Sequence, residues 1–109
     1  MTDEARIAYE KAVSLFGEGR KEEAASALLE IIGKFPGYAD AYETLGMVYY
    51  KSGSLDKAIE WTDRFAALRP EEPMAHTNLS IFYMKKGNKE KAEEEKALAT
   101  VLQFSKPKK

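Results

Sequence analysis

The side chains able to do chemistry in this chain are few and scattered. His76 is the only histidine, and there is no cysteine. A zinc-type site draws on several His or Cys ligands, and thiolate or disulfide chemistry needs sulfur, so nothing stands near His76 to complete a metal site. The densest carboxylates, Glu93, Glu94 and Glu95, are interleaved with Lys89, Lys91 and Lys96. That alternation is the make-up of a solvated helix face. Ser14, Ser26, Ser52 and Ser54 have no base partner visible in the sequence. Gly17-Glu18-Gly19 is not followed by G-x-x-x-x-G-K-[ST], so it reads as a helix break and not as a phosphate cradle. We expect no enzyme activity, no cofactor and no metal. Whatever the chain does must then come from the surface that its elements build.

Its bulk properties narrow that surface. With 109 residues, 44% hydrophobic and 32% charged, the chain is long and apolar enough for one packed domain. A formal net charge of -1 argues against broad capture of nucleic acid or anionic membrane. The start, MTDEARIAYE, lacks the basic-then-apolar layout of a secretory leader, and no apolar run approaches the roughly 18 residues of a membrane span. The expectation is a soluble, cytoplasmic protein without membrane insertion.

Self-similarity organises the rest. Gly19, Gly53 and Gly87 are spaced by 34 residues, and so are Ala24, Ala58 and Ala92. Pro36 and Pro70 keep the same interval. Apolar residues recur at helical spacing near 3–17, 38–51 and 73–85, as with Tyr42, Leu45, Val48 and Tyr49. In each period a glycine relaxes the end of one helix and a second helix follows. Ser54 and Asn88 are suited to cap the second helices, and Pro73 suits a first helical position. Pro36 and Pro70 close the periods, because a helix usually ends before a proline. No segment alternates like a strand. The pattern predicts an all-α array of three antiparallel helix pairs, six helices in all. Small residues at Ala12, Gly46 and Ser80, and again at Ala24, Ala58 and Ala92, would let the helices of a pair approach closely.

These residues resemble the tetratricopeptide repeat family, whose 34-residue unit carries W-x2-L-G-x2-Y, then A-x3-F, then P. The second period fits best, with Tyr42, Leu45, Gly46, Tyr49, Ala58 and Pro70 in their slots. Thr62 takes the place of the later aromatic, and Phe65 stands one turn on to refill that volume. The third keeps Leu79, Tyr83 and Ala92, with Ser80 for Gly and Lys96 for the aromatic. The first retains Ala12, Leu15, Ala24, Leu28 and Pro36. The resemblance implies a right-handed solenoid in a single domain over 1–109, with repeats at about 5–38, 39–72 and 73–104 and a basic tail at 105–109. It also puts His76 in the slot of a packed aromatic. Two outward-facing series, Ala25, Ile59, Glu93 and Ile32, Ala66, Thr100, turn polar in the last repeat, as a solvent cap would. The array is therefore expected to be complete at three, with Leu98, Val101 and Phe104 folded onto the surfaces of the last pair and the tail solvated.

In this family the first helix of each pair lines a concave groove that binds peptides. Carried over slot by slot, the groove is Arg6, Tyr9, Val13 and Phe16, then Asp40, Glu43, Met47 and Tyr50, then Met74, Thr77, Ile81 and Met84. Apolar residues dominate, and methionine's flexible thioether suits a surface that accommodates another chain. The slots with which one family variant clamps an acidic chaperone tail hold Tyr9, Val13, Thr44, Met74 and Asn78, so that clamp is not expected. The resemblance thus implies a non-catalytic adapter for an apolar or amphipathic segment of a partner protein. The alternative is a scaffold subunit of a larger assembly or homo-oligomer, anchored through Trp61, Phe65 and Tyr38 on the opposite side. A nucleic-acid adapter using the lysine tail is a weaker third reading.

Overall fold

The computed structural model describes residues 3–105. The Lys106–Lys109 part of the basic tail lies outside the described residues. Six helices follow in order: α1 (Asp3–Gly17), α2 (Lys21–Lys34), α3 (Ala39–Lys51), α4 (Leu55–Leu68), α5 (Pro73–Lys86) and α6 (Lys89–Ser105). There is no strand among the described residues.

Each helix pair is closed by the same device. Gly19, Gly53 and Gly87 hold φ of 83°, 86° and 89°, the left-handed region that a side chain disfavours. The residue after each glycine donates its N–H back across the helix end: Arg20 to Leu15, Ser54 to Tyr49 and Asn88 to Tyr83, at 3.0, 2.9 and 2.9 Å. Each glycine N–H in turn reaches Phe16, Tyr50 or Met84. This paired 6→1 and 5→2 closure is the Schellman arrangement. The 34-residue glycine interval is thus one turn made three times.

The capping expectation needs a correction. Asn88 Oδ1 accepts the Lys91 N–H at 3.1 Å, but Ser54 makes no side-chain cap bond. Ser54 sits at ψ 76°, and its hydroxyl is one atom shorter in reach than the asparagine amide. Pro73 does occupy the start of α5. Ahead of Pro36 and Pro70, Phe35 and Arg69 have left helical geometry, at φ -131° and -130°. The last repeat has no such proline, and α6 runs 17 residues against 14 for α2 and α4.

Within the pairs, the small residues meet. Ala12, Ala24, Ala58 and Ala92 are fully buried. In the third pair Ser80 donates its hydroxyl to the Ala92 carbonyl at 2.9 Å. In the second, a Cβ added at Gly46 would stand 3.4 Å from the Ala58 carbonyl oxygen and would collide with Thr62 Oγ1. Thr62 therefore fills the space that Gly46 leaves open. Phe65 is buried one turn on, packed with Ala39, Tyr42 and Ala75. That core joins α3, α4 and α5, while Ala12, Ala24, Leu28, Ile31, Ala41, Leu45 and Val48 join α1, α2 and α3. Each new first helix thus seals the pair before it.

One slot pair shows how the repeats diverge inside a constant frame. At equivalent positions stand Ala8 with Ala27, Tyr42 with Trp61, and His76 with Glu95. Tyr42 and Trp61 are ring neighbours at 5.9 Å. His76 Nδ1 and Glu95 Oε1 are 2.7 Å apart, both side chains mostly enclosed. The histidine is packed, as its slot implied, and its polar ring is satisfied by a carboxylate where the second repeat uses an aromatic contact.

Candidate interaction surface

The twelve groove candidates lie on α1, α3 and α5, and two of them bridge these helices, Tyr9 to Thr44 and Tyr50 to Phe82. On α1, Arg6 is exposed and paired with Glu10 at 3.1 Å and Asp3 at 3.6 Å. Tyr9 is half-buried: its hydroxyl shares a 2.7 Å hydrogen bond with Thr44 of α3, and its ring meets Tyr38 edge-on. Burial pushes the Tyr9 phenol up, against the opposing pull of the Thr44 bond. Val13 is exposed, and Phe16 is half-buried against the first core.

On α3, Asp40 is exposed, and Glu43, Met47 and Tyr50 are half-buried. Desolvation raises the Glu43 carboxyl above its usual range, and the nearby charges of Asp40 and Glu72 add to it. Tyr50 lies against Phe82 of α5, ring centres 4.8 Å apart, with the Lys51 ammonium 6.0 Å from its ring. On α5, Met74, Ile81 and Met84 are 47%, 44% and 47% exposed, well above a core residue's share, and Thr77 is exposed as well.

The structure brings Thr77, Ile81 and Met84 together in a cavity of about 610 Å³ shared with Glu93, Lys96, Ala99 and Thr100 of α6. In the sequence, Glu93 and Thr100 read only as a solvent cap. They are also a wall of this hollow, which occupies the position that α3 and α5 fill on the two earlier pairs. The 34-residue register held that signal, because Ala25 and Ile32 in the same slots pack beneath α3.

Two expectations are overturned. Leu98, Val101 and Phe104 do not fold onto the last pair; they are 43%, 58% and 86% exposed. They stand on the outer side of α6, too far round the helix to reach α5. Phe65 cannot serve as an external anchor on the opposite side, being 4% exposed within the second core. Trp61 keeps only part of its surface, with Tyr42 on one side and the Arg64 guanidinium 4.5 Å from its ring. No group of three His, Asp or Glu able to hold a metal occurs among the described residues, and no described helix is long and apolar enough to cross a membrane.

Comparison with known proteins agrees with the fold. The family model described as tetratricopeptide repeat matches residues 9–73. The TPR repeat-containing protein YvcD of Bacillus subtilis (strain 168) is 33% identical over 94 residues. That match takes in 84% of this chain and 19% of YvcD, so the chain spans about a fifth of that relative's length. The crystal structure of MamA superposes with a TM-score of 0.89 at 30% identity, over 92% of this chain and 58% of that one. The Yersinia enterocolitica type III secretion chaperone SycD, in complex with a peptide of the translocator YopD, superposes at 0.91. It is 22% identical, over 98% of this chain and 82% of SycD, a likeness of fold. On the family match and the repeated turn, core and spacing, this chain belongs to the tetratricopeptide repeat family.

Proposed function

We propose that this chain is a non-catalytic interaction module that takes an apolar or amphipathic segment of a partner protein along the face formed by α1, α3 and α5. One observation carries the reading: apolar side chains stay accessible along all three of these helices, with Val13 on α1, Met47 half-buried on α3, and Met74, Ile81 and Met84 on α5. A solvated face has no need of them, whereas a docking face gains roughly 25 cal/mol for each Å² of apolar surface that a partner covers. SycD, a relative by fold, is a chaperone seen with a peptide of its translocator, which supports a peptide-binding role for this architecture.

The test is cross-linking in the native extract followed by mass spectrometry. Links from partner residues to positions beside Met47 and Met84 support the reading. Links confined to the Trp61 side of α4 would replace it with the scaffold reading.

A further inference from the structure

The hollow between α5 and α6 is the third instance of a groove that this molecule fills twice with a helix. The second helix of each pair offers the same three slots: Ala25, Leu28 and Ile32 on α2, then Ile59, Thr62 and Ala66 on α4. In both places the next helix covers them, so Leu28 and Thr62 are buried and their flanking residues half-buried. The covering residues repeat as well. They are Ala41, Leu45 and Val48 on α3, and Ala75, Leu79 and Phe82 on α5, all buried. On α6 the three slots hold Glu93, Lys96 and Thr100, and all are exposed. The same hollow takes in Ile81 and Met84, 44% and 47% exposed, and the buried Ala99. One wall is apolar and the other charged, a lining that suits an amphipathic helix.

The charges say what that helix carries. Helices α2 and α3 run antiparallel, which sets Leu45 against Leu28 within one core and Val48 beside Ala25. Helices α4 and α5 keep this register with Leu79 and Thr62. A helix seated the same way on α6 sets its own central residue on Lys96. The ion pairs within α6 join Lys91 to Glu94 and Glu95 and leave the Lys96 side chain free. With Lys85, two ammonium groups line the hollow against one carboxylate, Glu93. The complement of that lining is acidic. A second copy of this chain does not supply it, because its α1 offers Ile7, Lys11 and Ser14 in the covering slots and would lay Lys11 on Lys96.

We propose that this hollow receives one helix of a partner protein, antiparallel to α6, with an acidic residue seated on Lys96 and small or apolar residues one turn to either side. This rests on the reading of the chain as an interaction module and adds the conformation, place and charge of the bound segment.

The probe is a helix-stabilised synthetic peptide of the α5 sequence, Pro73–Lys86, since α5 is the molecule's own occupant of the preceding groove. Leu79→Glu in the peptide sets a carboxylate on Lys96, and Leu79→Lys sets an ammonium there. Each peptide is titrated into the full chain, with the methyl NMR signals of Val13, Met84 and Ala99 as site markers. The Leu79→Glu peptide should bind at least about threefold tighter than the Leu79→Lys peptide at low salt. It should shift Met84 and Ala99 and leave Val13 in place. Lys96→Glu in the chain should reverse the order of the two peptides with circular dichroism unchanged, Lys96 being exposed. Equal affinities, an order that Lys96→Glu does not reverse, or shifts that miss Ala99 overturn the proposal. So does a lack of binding by both peptides up to roughly millimolar concentration. None of these results alters where a native partner cross-links, beside Met47 or on the Trp61 side of α4, so the two readings fail separately.

Discussion

Two glycines inside helices separate packing from propensity. Gly33 in α2 has no neighbouring atom within 4 Å of the Cβ that alanine would add, whereas at Gly46 that atom would collide with buried Thr62 and crowd the Ala58 carbonyl. Helix propensity alone favours alanine at both sites by roughly 0.5–1 kcal/mol. At Gly33 that gain stands, reduced by its place in the last turn. At Gly46 an overpacking cost of about 1–3 kcal/mol opposes it, and Thr62 is β-branched with little room to turn. Chemical denaturation should therefore show Gly33→Ala neutral to stabilising and Gly46→Ala destabilised by about 1 kcal/mol. A charge makes the companion case. The folded chain holds the Glu43 carboxyl above its unfolded value, by burial first and then by Asp40 and Glu72. A raised carboxyl binds its proton more tightly when folded, so its favourable contribution is complete below the unfolded value of 4.5 and is lost as pH rises through the folded one. Glu43→Gln, neutral throughout, should be more stable than wild type at pH 7. That difference should disappear in melts near pH 4, and a constant difference would refute the assignment.

At the level of helices, the punctuation was readable and the outer faces were not. Gly19, Gly53 and Gly87 mark turns because only a left-handed residue closes the two Schellman bonds, and Pro36 and Pro70 mark exits because the residue before each must leave the helix. Ser54 misled because capping depends on a backbone angle as well as on residue type. Leu98, Val101 and Phe104 misled because apolar character suggests burial, although their slots face solvent in every repeat. The close seam inside a pair is where a register argument can be tested. Ala58 is fully buried opposite Gly46, and Lys57, its neighbour, is exposed with its ammonium 5.3 Å from the Tyr49 ring. Ala58→Leu should cost about 1–3 kcal/mol by overpacking, while Lys57→Leu should stay within about 0.5 kcal/mol. In a domain of this size the first should lower Tm by several degrees, and equal shifts for both would mean that the register is wrong.

At the scale of the whole molecule, the six helices of the described residues stack in three pairs, the first two each sealed by the helix that follows, and the side chains left accessible are the candidates for binding. The candidate face was legible only as a family slot assignment, and the structure adds differences of accessibility within it. Arg6 is engaged by Asp3 and Glu10, and Tyr9 by Thr44, so these two are partly committed to the fold. Met47 and Met84 are uncommitted by comparison: one is half-buried on α3 and the other is open on α5. Replacing both with Glu should leave the helical signal intact, since neither belongs to the two buried cores. It should weaken binding of the cross-linked partner segment by more than about 1 kcal/mol, roughly a fivefold rise in Kd, because apolar anchors at the centre of an interface carry most of its energy. Salt discriminates between mechanisms. An apolar contact keeps its affinity between low and high ionic strength, whereas exposed ion pairs are screened within about 10 Å at 0.1 M salt. Titrations of the wild type and of Met47→Glu/Met84→Glu at two salt concentrations, with circular dichroism alongside, measure both effects. A folded double variant that binds unchanged places the partner on the opposite side, where Trp61 retains part of its surface, and a steep salt dependence in the wild type would make Glu43 and Asp40 the contacts instead.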